Sequence, residues 1–128
     1  MCKVLHANLK PGGKLLSMND NPELLPDSET GYAAYGKTKR INGPAEDGAK
    51  LTVTWVVPDA QGRPEHLAFD CRYFTREALE WALAGAGFVD IRIHRPEVSP
   101  EGLETFGEQY WARFLENPLL VFIEASKP

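Results

Sequence analysis

The stretch Leu9-Lys10-Pro11-Gly12-Gly13-Lys14-Leu15-Leu16-Ser17-Met18 sets the fold. Upstream of it Cys2, Leu5 and Leu9 lie near one helical face, so the spacing predicts a short helix. Pro11, Gly12 and Gly13 then stop that helix, and Lys14 to Met18 reads as a strand. Helix, glycine turn and apolar strand make an αβ connection. No buried strand precedes the helix, so the chain is expected to open in the middle of an α/β pattern.

Outward from that strand, residues 19–48 are polar and rich in Pro, Gly, Asp and Asn, long for a structureless loop in a compact domain. Tyr32, Ala33, Tyr35 and Ile41 predict that part of it packs, as a short helix or lid. Next come two alternating stretches. Leu51, Val53, Trp55 and Val57 oppose Thr52 and Thr54, and Leu67, Phe69, Cys71 and Tyr73 oppose His66, Asp70 and Arg72. With Pro58-Asp59-Ala60-Gln61-Gly62 between them, they read as an antiparallel hairpin (51–57, 66–73) with one buried face. Thr75 is placed to cap a helix bearing Leu79, Leu83 and Ala86, which Gly87 closes before a strand at 89–94. Ser99 and Pro100 open a further helix with the apolar face Leu103, Phe106, Tyr110 and Phe114. Asn117-Pro118 ends it, and Leu119-Leu120-Val121-Phe122-Ile123 reads as a strand buried on both faces.

The 128 residues suit one domain, 1–128, with a core of its own. The longest apolar run, Leu119 to Ile123, is far short of the ~20 residues of a membrane span. The N-terminus lacks the features of a signal peptide. Fourteen basic against eighteen acidic residues give a net charge of −4, which argues against nucleic acid as partner. Cys2 and Cys71 are too few for a disulfide framework, so a reduced, cytoplasmic setting is expected.

Several motifs fail on context. Gly31-Tyr32-Ala33-Ala34-Tyr35-Gly36-Lys37-Thr38 fits the spelling of a phosphate-cradling loop, but no strand precedes it and no helix can follow through Ile41-Asn42-Gly43-Pro44. Gly85-Ala86-Gly87 joins helix to strand, the reverse of dinucleotide-binding order. His6, His66 and His94 have no metal-ligand spacing, and Asn19-Asp20-Asn21 lacks the glycine and spacing of a calcium loop, so no metal is expected. No nucleophile has an identifiable base, so catalytic residues are not assigned. Asn19 and Asp20 stand out because they follow a strand directly, and open α/β sheets bind ligands at the carboxyl ends of their strands.

The order of these pieces resembles the class I S-adenosylmethionine-dependent methyltransferases. Asn8-Leu9-Lys10-Pro11-Gly12-Gly13 and its strand look like the approach to that fold's fifth strand. Tyr73-Phe74-Thr75 leading to Ala86-Gly87-Phe88-Val89-Asp90-Ile91 looks like its penultimate helix and sixth strand, and Leu119 to Ala125 like its seventh. Asn19-Asp20-Asn21-Pro22 and Val98-Ser99-Pro100-Glu101-Gly102 with Tyr110-Trp111 are similar to small-molecule methyltransferases of the toxoflavin-biosynthesis type. The resemblance implies an α/β fold, α+β in appearance. A partial Rossmann-like sheet would run 14–18, 119–125, 89–94, beside the added hairpin.

It also implies S-adenosylmethionine as cofactor, yet the family's glycine-rich turn and acidic residue are absent, so no cofactor-binding residue is assigned. The chain is expected to represent the substrate-side C-terminal half, inactive alone. The alternative is a non-catalytic module for small-molecule binding or dimerisation. A substrate surface is expected from Asn19, Asp20, Tyr32, Tyr35, Trp55 and Tyr73, with Asp20 and His66 as candidate bases. The expected partners are a small-molecule substrate and either a second copy of the chain or the missing N-terminal half. An unpaired edge at Lys14–Met18 is what invites the second copy.

Overall fold

The Pro-Gly-Gly turn works as its residues dictate. In the computed structural model, which describes residues 1–25 and 32–128, helix α1 (Cys2–Asn8) stops at an extended Leu9. Gly12 then turns with φ +75°, a conformation that L side chains rarely adopt. A Cβ on Gly13 would meet the Lys10 carbonyl oxygen at 2.8 Å, so both glycines are required for the entry into β1 (Lys14–Asp20).

The other elements follow in order: a 3-10 turn (Ala33–Tyr35), β2 (Lys37–Asn42), β3 (Lys50–Pro58), β4 (Pro64–Arg72), α2 (Arg76–Ala84), β5 (Val89–His94), α3 (Pro100–Phe106), α4 (Glu108–Glu116) and β6 (Leu120–Ser126). Two three-stranded sheets result, ordered β1-β6-β5 and β2-β3-β4, every neighbouring pair antiparallel. The first sheet has the strand order that the resemblance implies. Its pairing is antiparallel throughout, which gives the mixed α/β chain its α+β appearance. No helix among the described residues is long and apolar enough to cross a membrane.

Each sheet has its own core. On the inner face of the first, Ile123 and Ala125 of β6 pack with Leu83 and Phe88, joined by Leu15, Ile91, Ile93, Leu79, Cys2 and Leu9. In the second, Leu51 and Val53 pack with Ile41, Tyr32, Tyr73, Leu24 and Leu119. Full burial of such side chains contributes roughly 1.5–3 kcal/mol each over exposure. β6 links the cores, since Leu119 before it serves one and Ile123 within it the other.

Four expectations are corrected. Residues 19–48 are not one loop: β2 lies within them and turns the hairpin into a three-stranded sheet. The hairpin's apolar face is buried only at the Leu51–Val53 end, because nothing among the described residues covers Trp55, Leu67 and Phe69, which are 43%, 50% and 52% exposed. β6 is not buried on both faces, since Phe122 on its outer face is 44% exposed. The helix expected from Ser99 onward is two helices, broken where Gly107 takes φ +79°. Ser99 caps the first as anticipated, its Oγ accepting from the Gly102 N–H at 3.1 Å.

The phosphate-loop spelling is not realised, since Lys37 and Thr38 open a strand instead of a helix. Its Gly31, and the residues Pro26 to Thr30 read as preventing a strand before it, lie outside the described residues.

Candidate functional site

The end of β1 meets the second sheet, and a lysine makes the joint. Strand alternation turns Lys39 and Ile41 of β2 inward. The Lys39 side chain is 1% exposed, and its Nζ donates to Asp20 Oδ1 and to the Leu119 carbonyl. A buried ammonium needs such partners, because an unpaired charge is very costly to desolvate. The second Asp20 oxygen, Oδ2, accepts from the Cys71 thiol at 3.7 Å. Burial pushes that thiol's pKa up, and the neighbouring Asp20 charge adds to the effect.

On the same strand Lys37 stands over the Trp55 ring, 4.5 Å from its centre, a cation–π contact. Its pKa is lowered by burial first and by the nearby Lys39 charge second.

The tyrosines build the wall. Tyr32 and Tyr73 are fully or almost fully buried, and their hydroxyls donate to the Asn117 and Pro22 carbonyls. Burial raises both phenol pKa values. The Tyr35 hydroxyl accepts from the Phe114 N–H at 3.2 Å and donates to the Tyr110 carbonyl, while Tyr110 returns a bond to the Ala34 carbonyl at 2.9 Å. Tyr35 also stacks on Trp111 at 5.8 Å, which fastens the 3-10 turn to α4.

The six anticipated residues are therefore only partly assembled. Asp20 lies beside Lys39 and Cys71, and Tyr32, Tyr35 and Tyr73 belong to the adjoining core. Trp55 sits at the exposed end of the same sheet face. Asn19 points to the opposite face of β1, as strand alternation requires, and lines a different hollow. His66 opposes Val56, on the face of the second sheet away from Cys71, so it does not join Asp20. Lys39 and Cys71 were not anticipated. The signal for Lys39 was its two-residue spacing from Ile41.

That second hollow is a groove of about 880 Å³ on the inner face of the first sheet. Leu15, Ser17 and Asn19 form its floor, α2 with Trp81 one wall, and Leu5 and Phe74 border it. Its volume falls in the range of small-molecule sites. Among the described residues, no group of three or more His, Cys, Asp or Glu side chains gathers as a metal site. Nor does any described strand pass through a glycine turn into a helix: β4 enters α2 through Tyr73, Phe74 and Thr75, and β5 enters α3 through residues 95–99. The backbone cradle that such a turn offers a nucleotide-like cofactor is thus not among the described elements.

No family model matches the chain, and no curated protein matches it in sequence. Solved structures do share its fold. One is a protein from Listeria monocytogenes described as an S-adenosylmethionine-dependent methyltransferase, with TM-score 0.56 and 17% identity over 99% of this chain and 53% of that one. A Mesorhizobium loti S-adenosylmethionine-dependent methyltransferase gives TM-score 0.54 and 17% identity over 98% and 53%. One from Clostridium acetobutylicum gives 0.52 and 10% over 98% and 49%. The chain shares the fold of S-adenosylmethionine-dependent methyltransferases and spans about half the length of these structures.

Proposed function

We propose that this chain is the substrate-side, C-terminal half of a methyltransferase-like protein that acts on a small molecule in the cytoplasm. Residues 1–128 form one unit in this reading, and the first sheet is the end of a Rossmann-like sheet. The observation that carries it is the shared fold over almost the whole chain but only half of each methyltransferase. The surface offered to a substrate is the open end of the second sheet, where Trp55, Leu67 and Phe69 lie near Lys37 and Asp20. Tyr32, Tyr35 and Tyr73 support it from behind, and Asn19 marks the groove on the other side of β1. Such a surface suits an apolar acceptor bearing a polar group.

With no such cradle among the described residues, the isolated chain has little to offset the entropy of binding S-adenosylmethionine, and in this reading it is inactive alone. Calorimetric titration of S-adenosylmethionine into the isolated chain is expected to give no saturable heat. A micromolar dissociation constant would overturn this reading. The second reading, a non-catalytic module for small-molecule binding or dimerisation, draws on the groove between α1 and α2 and on the edge of β1 beside which no described strand lies.

A further inference from the structure

The four sheet edges are not alike. β5 carries a register shift between Val89 and Arg92, and Asp90 takes φ +51°, an irregularity that spoils pairing along its free side. β4 opens with Pro64 and presents Glu65, His66, Asp70 and Arg72, while β2 carries Lys37, Lys39 and Arg40 in six residues. Proline and charge of this kind guard edges against pairing. β1 is different. All seven of its residues pair in unbroken register with β6, and on its other side no described strand lies. Leu16 and Met18 on its outer face are 75% and 62% exposed.

The sequence of β1 is also self-complementary. Laid antiparallel against itself about Ser17, it sets Lys14 opposite Asp20 and Leu16 opposite Met18. Shifting the centre to Leu16 or Met18 loses the charge pair. Shifting it by half a step sends one copy's outer face to the other copy's inner side. Lys14 already bonds Glu124 at 2.6 Å, and Asp20 already bonds Lys39. The new pair would therefore extend a chain of alternating charges across the axis. We propose that β1 pairs with β1 of a second copy, antiparallel and centred on Ser17, to give a two-fold dimer with a continuous six-stranded sheet. One competent edge per copy closes the assembly at two, where two such edges would allow a fibre.

The inference rests on the second reading above, a dimerisation module, because in the first the same edge of β1 joins the rest of the sheet. Donor titration tests the first reading and sedimentation tests this one. Sedimentation equilibrium of the full chain at low micromolar concentration is expected to give twice 14.3 kDa. Leu16→Lys and Met18→Lys, at exposed positions that the fold does not need, each act twice in a symmetric interface. Each should weaken association by more than about tenfold. Leu67→Lys, on the other sheet, leaves it unchanged. Under mild oxidation Ser17→Cys should link the two copies more readily than Lys14→Cys. A 14.3 kDa species throughout overturns the proposal. A dimer unmoved by Leu16→Lys overturns it too, as does one that Lys14→Cys links in place of Ser17→Cys.

Discussion

At Lys39 a single side chain ties two sheets together. Its stem crosses the second core, and its ammonium ends on the Asp20 carboxylate and the Leu119 carbonyl, both belonging to the first sheet's strands or their approach. Truncation leaves the Asp20 carboxylate without its cation, while the Leu119 carbonyl keeps the Asn21 N–H at 3.3 Å. Breaking such a pair by removing one partner is strongly destabilising. Because Asp20 keeps a third of its side chain in water, the lower end of that range applies. Lys39→Ala is expected to destabilise the fold by about 3 kcal/mol in urea denaturation. A loss under about 1 kcal/mol would show that water replaces the ammonium at no great cost. The same residue explains what the sequence hid. Lys37-Thr38-Lys39-Arg40-Ile41-Asn42 has no apolar alternation to betray a strand, because one of its inward positions is filled by a paired cation instead of a hydrophobe.

Among the elements, β6 was legible in its place but not in its surroundings. Five consecutive apolar residues, Leu119 to Ile123, marked it as the central strand, and it is central. Hydrophobicity alone does not say which partners are present, so Phe122 emerges half-exposed on the outer face. The alternating hairpin misled in the same way, since alternation fixes which side chains share a face and not what covers them. Asn19 and Asp20 were rightly placed at a strand's end, but as members of β1 they take opposite faces.

β6 also carries Glu124, whose Oε1 meets Lys14 at 2.6 Å and whose Oε2 meets His94 at 3.0 Å, bridging all three strands. The Lys14 bond, then the His94 bond, hold its carboxyl below the usual 4.5. A carboxylate lowered by folding contributes stability above its unfolded value, and that contribution fades as pH falls through the folded one. Melting temperature should therefore drop on acidification from about pH 5 to about pH 3, and less steeply in Glu124→Gln. Parallel profiles for the two proteins would exclude Glu124 as a source. Because its partners Lys14 and His94 are exposed, high salt should shrink the difference.

For the whole molecule, the two cores are joined through β6 and the half-buried Lys39–Asp20 ion pair, while much apolar surface stays in water. Trp81 is 79% exposed at the groove, Phe74 46%, and Leu16 75% on the other side of the same sheet. Trp81 and Phe74 border the same groove, and contiguous apolar surface of that kind is rare on soluble monomers and usually marks a seat for something else. The groove has a spectroscopic consequence as well. Dyes such as anilinonaphthalene sulfonate brighten on apolar surface, which is why they serve as reporters of loosely packed states. This chain should light the dye while fully native, with sharp near-ultraviolet dichroism retained, and Trp81→Glu should dim it. A dark native baseline would mean the groove is closed in solution. A bright one would make dye-monitored melting curves start high and fall, inverting the shape by which unfolding is ordinarily recognised.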